Sequence, residues 1–123
     1  MAIEYHHPDA RNFGIRIIII SKNDCPQCTT MKNKLDKEGI AYLAINAEQD
    51  QIDAQEKGTD VETYEVLEGH TAYDFVTEVK GVRQMPYVLV SNPEELYEDE
   101  WHGLRPDKVS PLVRGIVKKR NEG

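Results

Sequence analysis

The chain has 123 residues and a formal net charge of -7, from 22 Asp and Glu against 15 Lys and Arg. That length suits one hydrophobic core and is too short for two ordinary domains, and the acidic balance opposes non-specific binding to nucleic acid or to an anionic membrane. No apolar run approaches the roughly 20 residues of a membrane span, and residues 1–14 lack a signal-peptide core, so a cytoplasmic monomer acting on proteins or small thiols is expected.

Met1 to Gly14 is polar and weakly patterned, and reads as a loose extension that packs on a sheet edge or stays unstructured. Ile15-Arg16-Ile17-Ile18-Ile19-Ile20 follows. Branched side chains with almost no polar alternation predict a strand buried on both faces. The run stops at Ser21-Lys22-Asn23-Asp24 and then Cys25-Pro26-Gln27-Cys28. Pro26 has no backbone N–H and suits the first helical position, which places Cys25 at the N-cap and Cys28 in the first turn. A helix N-terminus favours an anion, and such sites lower a cysteine pKa from about 8.5 to roughly 3.5–7.5. Cys25 is thereby the nucleophile, and Cys28, with two residues between them, can close a disulfide with it and resolve a mixed disulfide. The chemistry is thiol–disulfide exchange through a reversible Cys25–Cys28 pair, with no bound cofactor. Lys22 favours a Cys25 thiolate and Asp24 opposes it.

Cys28, Met31 and Leu35 recur at helical spacing, and Gly39 stops the helix that they define, from about Pro26 to Glu38. Ile40 to Ile45 predicts a second strand, parallel to the first across a right-handed crossover. Between Glu48 and Glu68, eight acidic residues face a single Lys57, which reads as a solvated face or loop and as an insertion. Ala72, Phe75, Val76 and Val79 form the stripe of a second helix, ended by Gly81. Val82 to Val90 leads into a third strand with Pro86 at its first turn, and Leu96 to Trp101 returns as an antiparallel fourth. Val109, Leu112, Val113, Ile116 and Val117 mark a closing helix. Either it starts at Pro106 and bends at Pro111, or, as favoured here, a short turn covers Pro106 to Val109 and the helix starts at Pro111 with Ser110 as N-cap, while Lys118, Lys119 and Arg120 complement its own C-terminal dipole. Tyr87 and Trp101 either line a substrate groove or pack the core. The chain thus divides into an extension (1–14), a domain (15–119) and a short tail (120–123).

The order β-CPQC-α-β-α-β-β-α with Met85-Pro86 before the third strand resembles the thioredoxin fold and, within it, the glutaredoxins: an α/β protein with a four-stranded mixed sheet flanked by helices. Four blocks are closer to the NrdH-redoxins: Lys22 to Cys28, Leu35 to Tyr42, Gly81 to Pro86, and Trp101-His102-Gly103-Leu104-Arg105-Pro106-Asp107. That last block is similar to the family's Trp-Ser-Gly-Phe-Arg-Pro-Asp element. The resemblance implies a dithiol electron donor to class Ib ribonucleotide reductase, itself reduced by thioredoxin reductase with electrons from NADPH through that flavoprotein. It makes Pro86 a cis-proline and has Met85 offer backbone groups to an extended substrate segment. It extends substrate binding to Gly103, Arg105 and Asp107 in the final block. Glutaredoxins carry Thr-Val-Pro and a Gly-Gly-x-Asp-Asp segment for glutathione. Here the positions read Gln84-Met85-Pro86 and Gly103 to Asp107. Pro26, where the NrdH-redoxins commonly have Val, keeps a glutathione-dependent glutaredoxin as the alternative.

Two further readings belong to other classes. Cys25 and Cys28 could be half of a metal site, but structural zinc wants four ligands, and His6, His7, His70 and His102 show no spacing that completes one. A redox-sensing regulator would use the same disulfide to change a docking surface.

Overall fold

The computed structural model describes residues 2–57 and 65–122. Five strands, β1 (Ile3–His6), β2 (Arg16–Ser21), β3 (Tyr42–Asn46), β4 (Tyr87–Asn92) and β5 (Tyr97–His102), form one sheet in the order β1-β3-β2-β4-β5. β2 and β3 are parallel, with Ile18 opposite Leu43 and Ile20 opposite Ile45, and the other three pairings are antiparallel. The helices are α1 (Pro26–Lys37), α2 (Ala47–Lys57), α3 (Ala72–Asp74), which runs into a π-helical turn over Phe75–Val79, and α4 (Pro106–Glu122). The mixed sheet flanked by helices is thioredoxin-like.

The isoleucine run is central because β2 has a strand on each side and helices on each face. Ile17 and Ile19 point to a core shared with Met31 and Leu35 of α1 and with Val109 and Ile116 of α4. Ile18 and Ile20 point the other way, toward Cys28, Leu67, Ala72, Phe75 and Val76. Burial on both faces removes the need for polar alternation. Each fully buried isoleucine contributes about 1.5–3 kcal/mol, so this strand anchors the segment that carries the cysteines.

Four expectations are corrected. Residues 3–6 of the extension are a fifth strand, paired antiparallel with β3 from Ile3↔Ile45 to His6↔Tyr42. His6 stacks on Tyr42 with ring centroids 4.6 Å apart, and Asp36 accepts from the Tyr42 hydroxyl while pairing with His7 Nε2, each at 2.9 Å. The acidic stretch is helical through Lys57, and Asp50 is buried, its carboxylate accepting the Ala72 N–H at 2.9 Å at the start of α3. Asp60 and Glu62 of that stretch lie outside the described residues.

The predicted second helix ends as a π turn, closed by the Lys80 N–H on the Phe75 carbonyl at 3.0 Å. The wider turn breaks the expected stripe, so Ala72, Phe75 and Val76 are buried while Val79 is exposed. Finally, α4 starts at Pro106 and runs through Pro111 without a break. Lys108 and Val109 both bond the Arg105 carbonyl at 2.9 Å, so the first turn is already closed before Pro111 is reached. Pro111 then forfeits only the bond its own N–H would have made, while Val109 and Ile116 on either side hold the helix to the core.

Candidate active site

The cysteine pair sits where β2 delivers the chain to α1. Cys25 is the N-cap, with φ -119° and ψ 94°, and Pro26 takes the first helical position. The Cys25 carbonyl accepts the Thr29 N–H at 3.2 Å, while its Sγ accepts the Cys28 N–H at 3.2 Å. The sulfur therefore occupies the position of an N-capping oxygen, where one of the helix's unpaired donors stabilises a negative charge. At the far end, the Ile40 N–H bonds the Leu35 carbonyl at 3.0 Å, and Gly39 takes φ +61°, a conformation that suits a residue without Cβ.

A disulfide joins Cys25 and Cys28, whose Cα atoms are 5.2 Å apart. The two sulfurs have different surroundings. Cys28 is 2% exposed and packs among Ile18, Ile20 and Ile45, whereas Cys25 is half-buried at the edge of that cluster. An incoming disulfide meets Cys25 first, and Cys28 can act only afterwards from within.

Cys25 opens onto a shallow groove of about 620 Å³. Lys22 and Asp24, the segment from Gly81 to Met85, and His102 line it. The Met85–Pro86 peptide bond is cis, and the Met85 carbonyl oxygen lies 3.7 Å from Cys25 Sγ. Pro86 is buried just below, its carbonyl accepting the Gly103 N–H at 2.8 Å. The Gln27 Oε1 accepts the Leu104 N–H at 3.2 Å, and Gln84 Oε1 contacts His102 Nδ1 at 3.1 Å. The Cys-Pro-Gln-Cys turn, the segment before β4 and the end of β5 thus converge on one surface.

Of the residues expected to bind substrate, Lys22 and Met85 line the groove with Cys25, while Pro86 and Gly103 are hydrogen-bonded to each other. Tyr87, Trp101, Arg105 and Asp107 do not line this groove. Tyr87 is 4% exposed and meets Phe75 edge-on at 6.1 Å. Trp101 is 6% exposed and belongs to the core on the opposite face of the sheet from Cys28. The period of two explains both: Tyr87 and Trp101 fall on faces of the sheet that meet the helix-packed cores, so their rings are taken up by packing. Arg105 and Asp107 form a two-pronged ion pair at the start of α4, with bonds of 3.0 and 2.7 Å. The guanidinium holds the Asp107 carboxyl below the usual carboxylate range. Each satisfies the other, and neither lines the groove.

Sequence reasoning missed Gln27, Arg83, Gln84 and His102 as groove residues. Their signal was adjacency, since Gln27 lies between the cysteines and the other three flank Met85-Pro86 and Gly103. Among the described residues, no three His, Cys, Asp or Glu side chains converge as metal ligands, and no helix is long and apolar enough to cross a membrane.

A half-exposed cysteine capping a helix, bridged to a buried one, on this fold defines a thiol–disulfide oxidoreductase. Comparison with known proteins narrows the class. The glutaredoxin family profile matches residues 17–57. The glutaredoxin-like protein NrdH of Escherichia coli K12 is 26% identical over 98 residues, 80% of this chain and 89% of the relative, and the Shigella flexneri NrdH matches equally. Among solved structures, the NrdH-redoxin of Escherichia coli, a glutaredoxin-like protein with a thioredoxin-like activity profile, aligns with a TM-score of 0.48 and 27% identity, over 79% of this chain and 93% of that one. A thioredoxin of Malassezia sympodialis aligns with a TM-score of 0.45 and 14% identity, over 84% and 75%. The chain is similar to the NrdH proteins, which are themselves glutaredoxin-like.

Proposed function

We propose that the chain is a cytoplasmic dithiol electron donor that reduces a disulfide of class Ib ribonucleotide reductase and is itself reduced by thioredoxin reductase at the expense of NADPH. The observation that carries the dithiol chemistry is the Cys25 Sγ capping α1 through the Cys28 N–H, with Cys28 buried behind it. Cys25 attacks the substrate disulfide, and Cys28 then displaces the reduced substrate and closes the internal bridge. The choice of partner rests on likeness to the NrdH proteins and on the residues that replace the glutaredoxin elements for glutathione, Gln84-Met85-Pro86 and Gly103 to Asp107. Substrate would lie extended along Met85, with Lys22 and Gly103 flanking Cys25.

The test is a coupled assay with NADPH, thioredoxin reductase and a disulfide substrate. Turnover that saturates with the redoxin is expected. Turnover with glutathione and glutathione reductase, and none with thioredoxin reductase, would assign the chain to the glutathione-dependent glutaredoxins instead.

A further inference from the structure

His102 lines the same groove as Cys25, yet thiol–disulfide exchange as set out above gives it no role. Its position in β5 is directly opposite Tyr87 in β4, so both side chains face the side of the sheet that holds Cys28. Nδ1 stands 3.1 Å from Gln84 Oε1. An amide oxygen only accepts, so Nδ1 carries the hydrogen. Nε2 is then the nitrogen left to take up a proton and hand it on.

The setting leaves this role to His102 alone among the residues lining the groove. From the neighbouring elements, Tyr87 faces the same side, Glu100 is ion-paired with Lys80 at 2.9 Å, and Arg105 is taken up by Asp107. The buried carboxylate of Asp50 is engaged as an acceptor by the Ala72 N–H. The hydrogen bond to Gln84 orients the ring. Gln84 packs against Gly103, where an added Cβ would lie 3.6 Å from the Gln84 amide, and Gly103 has φ +77°.

We infer that protonated His102 delivers the Nε2 proton to the sulfur that leaves the substrate disulfide. The inference rests on the redoxin reading above. As the Cys25 thiolate attacks, the bond from Cys25 Sγ to the nearer substrate sulfur forms and the substrate S–S bond breaks. The electron pair goes to the outer sulfur, which takes the His102 proton, and solvent reprotonates the ring. When Cys28 later attacks Cys25 Sγ, the proton that Cys28 loses balances the one gained by the second substrate sulfur. The NrdH-redoxin element carries Ser at the position of His102, so this proton source is a departure of this chain from that pattern.

The experiment compares two substrates, using protein reduced beforehand and freed of reductant. An aryl disulfide releases a stable thiolate that needs no proton, whereas an alkyl disulfide in a cystine peptide releases a basic one. Rates are measured at about pH 6 and about pH 8.5, on either side of imidazole titration. In H102N, and equally in H102S, the ratio of alkyl to aryl rate is expected to fall about a hundredfold at the lower pH and to match wild type at the higher one, the low end of general-acid effects. An unchanged ratio at the lower pH would overturn the inference. So would a parallel loss on both substrates together with slower alkylation of Cys25, because the histidine would then act through the nucleophile. A wild-type chain that reduces neither disulfide would defeat the redoxin reading itself, and the inference with it.

Discussion

Arg120 closes the helix that carries the cysteines, from the opposite end of the chain. Its Nη1 donates to the Glu38 carbonyl at 2.7 Å, Nη2 to the Gly39 carbonyl at 3.0 Å, and Nε to the Arg11 carbonyl at 3.2 Å. Two of these oxygens belong to the C-terminus of α1, where unpaired carbonyls attract a cation. The third fastens the segment that leads from β1 into β2. Arg120→Ala removes all three bonds. Hydrogen bonds from a charged donor contribute about 1.5–3 kcal/mol each when well buried, and these are half-exposed, so roughly 0.5–1 kcal/mol each is appropriate. The sum is about 2 kcal/mol, equivalent to a fall in Tm of several degrees for a domain of this size. Arg120→Lys keeps the charge but cannot fork across two adjacent carbonyls, and should recover less than half of the loss. Urea denaturation of the oxidised proteins measures both values. If lysine performs as well as arginine, the charge alone matters and the forked geometry is irrelevant; if alanine costs under about 0.5 kcal/mol, the reasoning fails altogether.

Cys28→Ser should leave a mixed disulfide trapped on Cys25 when a substrate protein is added, visible as a reductant-sensitive adduct by mass spectrometry; a chain that used the bridge only as a regulatory switch would form none. Asp50→Ala strands the Ala72 N–H at the start of α3 and should cost about 1–3 kcal/mol in urea denaturation, with Asp50→Asn recovering much of it. Burial and then the Glu100 carboxylate push the Tyr87 phenol up to about 12 from its ordinary value of 10.0. The unfolded chain therefore loses that proton first, and stability should fall between pH 10 and 12, with a shallower fall in Tyr87→Phe. Trp101 is the only tryptophan. Buried as it is, it should emit at short wavelength and change little when a disulfide peptide enters the groove; strong quenching by such a peptide would restore it to the substrate site.

The cysteine site was legible because its parts are local. Cys25, Pro26 and Cys28 specify an N-cap, a first turn and a bridge within four residues, and the isoleucine run before them specifies a buried strand. Long-range arrangements were not legible in the same way. The fifth strand depends on Ile3 to His6 meeting the edge of β3, and no pattern in those four residues requires it. The fates of Tyr87 and Trp101 depended on which face of the sheet the helices cover, since an aromatic residue before or after a turn suits a groove as well as a core. The passage of α4 through Pro111 turned on a first turn already secured at Arg105 and on burial at Val109 and Ile116. Arg120 was expected to serve its own helix, and serves α1 instead because folding brings the two ends side by side.

β5 is the outer strand of the sheet, and Glu98, Asp99 and Glu100 stand in succession at its middle. Were a second molecule to dock there strand against strand, antiparallel, acids would be set against acids along the new seam. Such an edge disfavours pairing between copies of the protein even though Lys108 and Lys80 hold Asp99 and Glu100 at 3.0 and 2.9 Å, because Glu98 and its neighbours still face the seam with acid side chains.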